Sequence, residues 1–122
     1  MTTFEQYLKG VLKQVDDSYT ILENLRDKPG DLEIIRRELA KIIGLFSALV
    51  SKLETNKEES EYQHILSPMR SYLENNEFFR EMDTMSQLYS DDPMRLKNLR
   101  LSIIDSLDEK NLMAHIKNII RE

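Results

Sequence analysis

The stretch RRELAKIIGLFSALVSKLE, residues 36–54, combines a strongly apolar side with an unusually bare one. Its apolar residues recur at alternating steps of three and four, which is the spacing of one buried face of an α-helix. A second row on the same helix consists of small residues, which are Ala40, Gly44, Ser47 and Ser51. We call this row the small-residue face. A glycine inside a helix costs up to about 1 kcal/mol relative to alanine, so the face requires a physical explanation.

The apolar spacing defines two long helices joined by a short turn. Helix two begins with Asp31 as its predicted N-cap. Its apolar row, the helix-two seam, consists of Leu32, Ile35, Leu39, Ile42, Phe46, Leu49 and Leu53. Helix one begins with Thr2 and Glu5 at capping-box spacing. Its seam consists of Phe4, Leu8, Val11, Val15, Leu22 and Leu25, with Ser18 filling one position. The DKPGD turn at residues 27–31 predicts a hairpin of the two helices.

The remaining apolar segments predict further helices with interruptions. One segment runs from Tyr62 to Leu88 and contains Pro68, which either follows a new N-cap or kinks a continuous helix. Asp92 with Pro93 then starts a fourth helix, whose buried face consists of Leu96, Leu99 and Ile103. Capping-box spacing recurs at Ser106 and Glu109, which predicts a break there. A final helix carries Leu112, Ile116, Ile119 and Ile120.

These patterns together indicate the fold class. No segment shows the sustained alternation of a β-strand. We therefore expect a single all-α domain over residues 1–122. The near-3.5-residue period favours an antiparallel helical bundle of four main helices with one or two extra breaks.

Composition excludes several classes of function. The chain has no cysteine, which rules out disulfides and thiol catalysis, and its net charge is −5. No apolar run reaches the roughly 20 residues of a membrane span, so we expect no membrane partner and a cytoplasmic location. The negative charge disfavours nucleic acid as a partner. We interpret Arg95, Lys97 and Arg100 as a solvated helix face instead of a phosphate-binding strip.

Residues that could carry chemistry are few. The chain contains two histidines, His64 and His115, and we interpret both as partly exposed structural residues. Glu61 and His64 form one Glu-x-x-His pair, but metal sites in helical bundles combine several such pairs. Glycine-rich phosphate loops and nucleophilic-serine motifs are absent from the sequence. We therefore expect no catalytic residue, no metal site and no cofactor.

Residues 21–54, ILENLRDKPGDLEIIRRELAKIIGLFSALVSKLE, resemble the phosphoacceptor hairpin of histidine phosphotransfer (HPt) domains, including the amino-terminal domain of chemotaxis kinases. That family has a helix, a short Pro/Asp turn and a second helix with a His-x-x-Lys-Gly motif. Gly44 matches the motif glycine, and Leu53 with Glu54 matches a later Leu-Glu pair. The phosphoacceptor histidine falls at Ala40, however, and the motif lysine at Ile43. The resemblance implies a bundle that docks a receiver or a kinase without carrying phosphate.

Two interpretations of the small-residue face follow. Either another helix of the same chain packs there, or the face binds a partner protein. For the second case we define a candidate docking surface, which consists of Arg36, Arg37, Ala40, Ile43, Gly44 and Ser47. The expected function is then a non-catalytic protein–protein interaction module, in the form of an HPt-like regulator. The alternative is a helical-bundle subunit that self-associates through its seams, as a homodimer or in a larger assembly.

Overall fold

A computed structural model describes residues 3–55, 62–74 and 77–122 of the chain. Within these residues every regular element is helical, which confirms the all-α class. The helices are α1 (Thr3–Asn24), α2 (Asp31–Thr55), α3 (Gln63–Glu74), α4 (Phe78–Leu88), α5 (Pro93–Asp108) and α6 (Leu112–Arg121). A 3₁₀ turn, Glu109–Asn111, links α5 to α6.

The seam of α2 is the centre of the core. All seven predicted seam residues are buried, and six of them are completely inaccessible to solvent. Helix α2 packs against α1, α3, α4 and α5. Phe46, near the middle of the seam, meets Tyr72 of α3 edge-on with 5.8 Å between the ring centroids. The predicted burial of this seam along its whole length is therefore confirmed.

Helix α1 lies against α2 with a wider buried face than predicted. Five of the predicted positions are buried, which are Leu8, Val11, Val15, Ser18 and Leu22. Phe4 and Leu25, at the two ends of the predicted seam, are only partly buried. Leu12 and Tyr19 are buried in addition. The face is wider because α1 also packs against α5 and α6.

The turn between α1 and α2 differs in detail from the prediction. Gly30 has φ of 94°, a conformation that glycine adopts without steric cost. Asp31 is buried, and its carboxylate accepts the backbone N–H of Lys28 at 3.0 Å. The Asp31 carboxylate therefore bonds to the turn that precedes α2, and Asp31 itself is the first residue of the helix. The prediction of Asp31 as the N-cap of α2 is wrong. The capping box at the start of helix one depends on Thr2, which lies outside the described residues.

Arg100 joins the end of α1 to α5. Its guanidinium binds the Asp27 carboxylate with both branches, at 2.9 Å and 3.2 Å. It also donates to the backbone carbonyls of Leu22 and Glu23 at 3.4 Å, near the carboxy terminus of α1, where carbonyls lack helical partners. The Arg100 side chain is only 11% exposed, so its prediction as part of a solvated face is wrong. Sequence spacing gave no sign of this contact because Asp27 lies in a different element.

The predicted third segment forms two helices, α3 and α4. Pro68 lies inside α3, so the helix continues through the proline and does not restart there. The residues between α3 and α4 include Asn75 and Asn76, which have low helix propensity. Leu88, the last residue of the predicted apolar segment, is 71% exposed because α4 ends at this residue. Residues 54–61, ETNKEESE, whose polar sequence predicts either a loop or the solvated start of the next helix, lie mostly outside the described residues.

The carboxy-terminal helices follow the predicted order with a later break. Asp92 caps α5 as predicted, since its carboxylate accepts the backbone N–H groups of Met94 and Arg95. The predicted cap at Ser106 is wrong, because α5 continues to Asp108 and the Ser106 hydroxyl donates to the Ile103 carbonyl at 2.6 Å. The chain bends at Lys110, which has φ of 56°. The apolar face of α6 is buried at Leu112, Met113, Ile116 and Ile119, and Ile120 is half-buried.

None of the helices that the structure describes combines the length and the apolar character needed to cross a lipid bilayer.

Truncating Phe46 to alanine tests the role of the α2 seam. The side chain is fully buried, so Phe46→Ala should lower the free energy of unfolding by about 3–5 kcal/mol. Leu88→Ala is the matched control, because it removes a large apolar side chain from an exposed site and should cost about 0.5 kcal/mol or less. Chemical denaturation measures both. A loss below about 1 kcal/mol for Phe46→Ala would contradict the central position of this ring.

Candidate functional site

The six residues of the candidate docking surface lie along the outer side of α2. Ala40, Gly44 and Ser47 are exposed, one helical turn apart from one another. Ile43 is half-buried and packs against the edge of the core. Arg37 is exposed and Arg36 is half-buried, both one turn before Ala40. Ser51 of the small-residue face is exposed as well, and the exposed strip also includes Lys41 and Ala48, which the sequence did not single out.

The space over Gly44 is open. Apart from the adjacent residues and the nearby backbone of α2 itself, a Cβ added at this position would meet no heavy atom of the described residues within 4 Å. The backbone of Gly44 is helical, so the glycine is not required by a left-handed conformation. Within the described residues, therefore, no other helix of the chain packs against the small-residue face. The interpretation of this face as an internal packing surface loses its basis in this part of the chain.

Both arginines of the candidate surface form ion pairs within the chain. Arg36 donates to Asp83 of α4 at 2.8 Å, and this contact ties α4 to the rim of the surface. Arg37 donates through Nε to the neighbouring Glu38 at 2.8 Å. The Arg37 side chain nevertheless stays 68% exposed, so its other N–H groups can meet a partner.

Glu38 is a buried carboxylate that orients Arg37 by accepting its Nε–H. Its second oxygen accepts the hydroxyl of Ser18 on α1 at 2.8 Å. Burial acts to raise the pKa of Glu38. The hydrogen bonds from Arg37 and Ser18, with the charges of Arg37 and Lys41, outweigh burial and hold the pKa below its ordinary value. Glu38 is therefore ionised at neutral pH and keeps Arg37 in place.

Sequence reasoning missed the partners of the arginines. Asp83 was unremarkable because its pairing with Arg36 depends on how α4 lies against α2. Glu38 and Ser18 did leave a signal, since Ser18 occupies a seam position of α1 that is otherwise apolar. A buried hydroxyl needs a hydrogen-bonding partner, and a polar residue beside the facing seam is the natural candidate.

Two clefts elsewhere on the surface show little chemical selectivity. The larger, about 580 Å³, lies between α4 and α5 and is lined by two acidic and two basic side chains, which are Glu77, Glu81, Arg80 and Arg95. The smaller, about 370 Å³, lies beside Tyr72, whose hydroxyl oxygen is 3.1 Å from that of Ser106, within hydrogen-bonding distance. Burial raises the pKa of Tyr72 to about 12, so the phenol is neutral and cannot act as a base near pH 7.

Comparisons of the chain with protein-family models, with curated proteins and with solved structures find no match. The resemblance of residues 21–54 to HPt domains therefore stays a prediction from the sequence.

Replacing Glu38 tests whether its contacts with Arg37 and Ser18 stabilise the fold. Glu38→Gln weakens the ion pair to Arg37, so we expect a loss of about 1–3 kcal/mol in unfolding free energy at pH 7. Because folding lowers the pKa of Glu38, its contribution is complete above its ordinary value of 4.5 and is lost as the pH falls through the lower folded value. The difference between wild type and Glu38→Gln should therefore shrink on acidification. Glu23→Gln, an exposed control on α1, should change stability by about 0.5 kcal/mol or less at pH 7. A difference for Glu38→Gln that grows on acidification would contradict the assignment.

Proposed function

We propose that this chain is a non-catalytic protein–protein interaction module that binds another protein on the outer face of α2. The observation that carries the proposal is that the open position at Gly44 lies in one exposed row with the small residues Ala40 and Ser47. A mid-helix glycine lowers helix stability, and here it has no packing neighbour among the described residues that would compensate. A partner compensates for it, because the missing side chain lets a backbone or a bulky group approach the helix closely.

The charge distribution at the amino-terminal end of the surface indicates the character of the partner. Arg37 exposes most of its side chain, and the neighbouring Lys41 is also exposed. An acidic group of a partner could bind the terminal N–H groups of Arg37, for which the described residues show no partner, while Glu38 holds the Nε side. We therefore propose a partner that places an acidic group beside Arg37 and a close-packing group over Gly44.

The concrete form of the proposal is an HPt-like regulator that docks a receiver or a kinase. Ala40, which takes the place of the phosphoacceptor in the resemblance, is exposed one turn before Gly44. Phosphotransfer to that position requires an imidazole nucleophile, which alanine does not provide. On this proposal the chain occupies the partner without carrying phosphate and uses no cofactor. The expected cytoplasmic location belongs to the same proposal.

The proposal extends to the arrangement of the helices. Tyr7 near the start of α1 lies under the ammonium of Lys52 near the end of α2, with 5.9 Å from Nζ to the ring centroid. Further along α1, Ser18 contacts Glu38 in the first half of α2. These contacts support an antiparallel hairpin of α1 and α2. We propose that α3 with α4, and α5 with α6, supply the third and fourth arms of an antiparallel bundle.

Self-association is the second candidate function. The burial of the α2 seam bears on where two copies would meet. The α2 seam is buried by the chain's own helices, so a second copy cannot use it without unfolding the first. Two copies could instead meet through their small-residue faces, around a two-fold axis near Gly44. The mass of the protein in solution separates this candidate from the docking module.

Substitution of Gly44 provides the main test. Because the site is open, Gly44→Ala should raise the unfolding free energy by up to about 1 kcal/mol. Gly44→Arg should fold to the same cooperative structure and the same mass as wild type. A loss of several kcal/mol would show that the position is packed. A dimeric wild type that becomes monomeric as Gly44→Arg would instead support self-association.

The matched control for partner binding is Gly10→Arg. Gly10 is also an exposed helical glycine with nothing within 4 Å of an added Cβ, but it lies on α1. Proteins that co-purify with the tagged chain from native cells are compared by quantitative mass spectrometry. The specific partner should be retained by wild type and by Gly10→Arg and lost with Gly44→Arg. Equal retention by both arginine variants would contradict docking on the outer face of α2.

The absence of a phosphoacceptor on α2 predicts a second result. Incubation with acetyl phosphate or with a phosphorylated receiver should leave no acid-labile label on the wild-type chain. Ala40→His is the informative counterpart, because it places an exposed imidazole where the resemblance puts the nucleophile. Label on wild-type His64 or His115 would contradict the non-catalytic proposal.

A further inference from the structure

The two histidines of the chain lie against each other. His64 is in the first turn of α3 and His115 is in α6, and their ring centroids are 5.0 Å apart. The rings meet edge to face, with an angle of 81° between their planes. Nothing in the sequence spacing predicted this contact, which depends on the packing of α3 against α6.

The ring nitrogens of this pair are available to a ligand. In the part of the chain that the structure describes, neither imidazole makes a hydrogen bond or an ion pair. His64 is exposed and His115 is half-buried, so an ion from solvent can reach both rings. An imidazole that is neither paired nor fully buried keeps a nitrogen lone pair, which is the donor that transition metals bind.

The sequence alone predicts no metal site, but from this contact we infer that His64 and His115 form a two-imidazole site for a divalent transition-metal ion. Zinc binds histidine nitrogen at about 2.0–2.1 Å, so two nitrogens on one tetrahedral ion lie about 3.4 Å apart. Rings whose centroids are 5.0 Å apart are close enough for one nitrogen of each to bind the same ion. No group of three or more His, Asp or Glu ligands comes together in the described residues, so water completes the coordination.

The donor set determines which ions bind. Imidazole suits zinc, copper and nickel, and copper(II) binds more tightly than zinc in the general order of affinities. Magnesium and calcium require oxygen ligands and should not bind to this pair. A bound ion would tie α3 to α6 and would stabilise the folded state over the unfolded one. This role goes beyond the proposed docking of a partner, because the pair is on elements other than α2.

Calorimetric titration of the metal-free chain with Zn²⁺ tests the site. We expect one ion per chain, a higher melting temperature with Zn²⁺, tighter binding of Cu²⁺ and no binding of Mg²⁺. His64→Phe and His115→Phe keep an aromatic ring at the contact but remove the nitrogen donors. Each should weaken Zn²⁺ binding roughly tenfold or more, whereas the control Asn118→Ala, exposed on α6, should bind as wild type does.

Four outcomes would overturn the inference: no Zn²⁺ binding by wild type, unchanged affinity in both phenylalanine variants, a loss in only one of them, or a loss in Asn118→Ala. If a phenylalanine variant does not fold, the wild-type imidazole NMR resonances decide. Both sets should shift or broaden with one equivalent of Zn²⁺, and a change at one histidine or at neither would exclude a shared ion. These results do not depend on the outcome of the Gly44 experiments, so the two proposals can fail separately.

Discussion

The structure depends on the burial of one complete side of α2. This helix packs against α1, α3, α4 and α5, and the seam from Leu32 to Leu53 holds them together. Full burial of an aliphatic or aromatic side chain contributes about 1.5–3 kcal/mol, so any one seam residue outweighs the roughly 1 kcal/mol that Gly44 costs. Tertiary packing thus keeps α2 helical, and its outer side is free to carry residues that a helix would not choose for stability.

This difference in energy explains how α2 can combine two opposite kinds of surface. On the buried side, large residues lie in a core that excludes solvent, and a change there is costly. On the outer side, Ala40, Gly44 and Ser47 are exposed, and the position of Gly44 meets no described neighbour. Local helix propensity and the exposed composition therefore disagree at Gly44. Such disagreements are expected at functional or strained positions, and the helical backbone of Gly44 shows no strain.

How much the sequence predicted depended on the range of the interaction. Periodicity located the α2 seam and the Asp-Pro pair located the Asp92 cap correctly, because both depend on residues within a few turns of one helix. The prediction failed at Ser106, where the hydroxyl binds within α5 and reaches Tyr72 instead of starting a new helix. It failed at Arg100, which pairs with Asp27 across the fold. These residues were judged by their neighbours in sequence, whereas contacts between distant elements determine what they do.

The candidate docking surface shows the same division. The helical period alone placed Ala40, Gly44 and Ser47 opposite the seam, but it left open whether another helix covers them. Their exposure is a finding of the structure. The ion pairs of Arg36 and Arg37 could not be predicted from the helical period, because Asp83 and Ser18 belong to other helices. Arg37 is held by Glu38, and Glu38 is held by the buried hydroxyl of Ser18. The one polar position in the α1 seam therefore fixes the orientation of a cation on the opposite surface of α2. A polar group inside the core, which would destabilise it without a partner, positions the charge that a binding partner would meet.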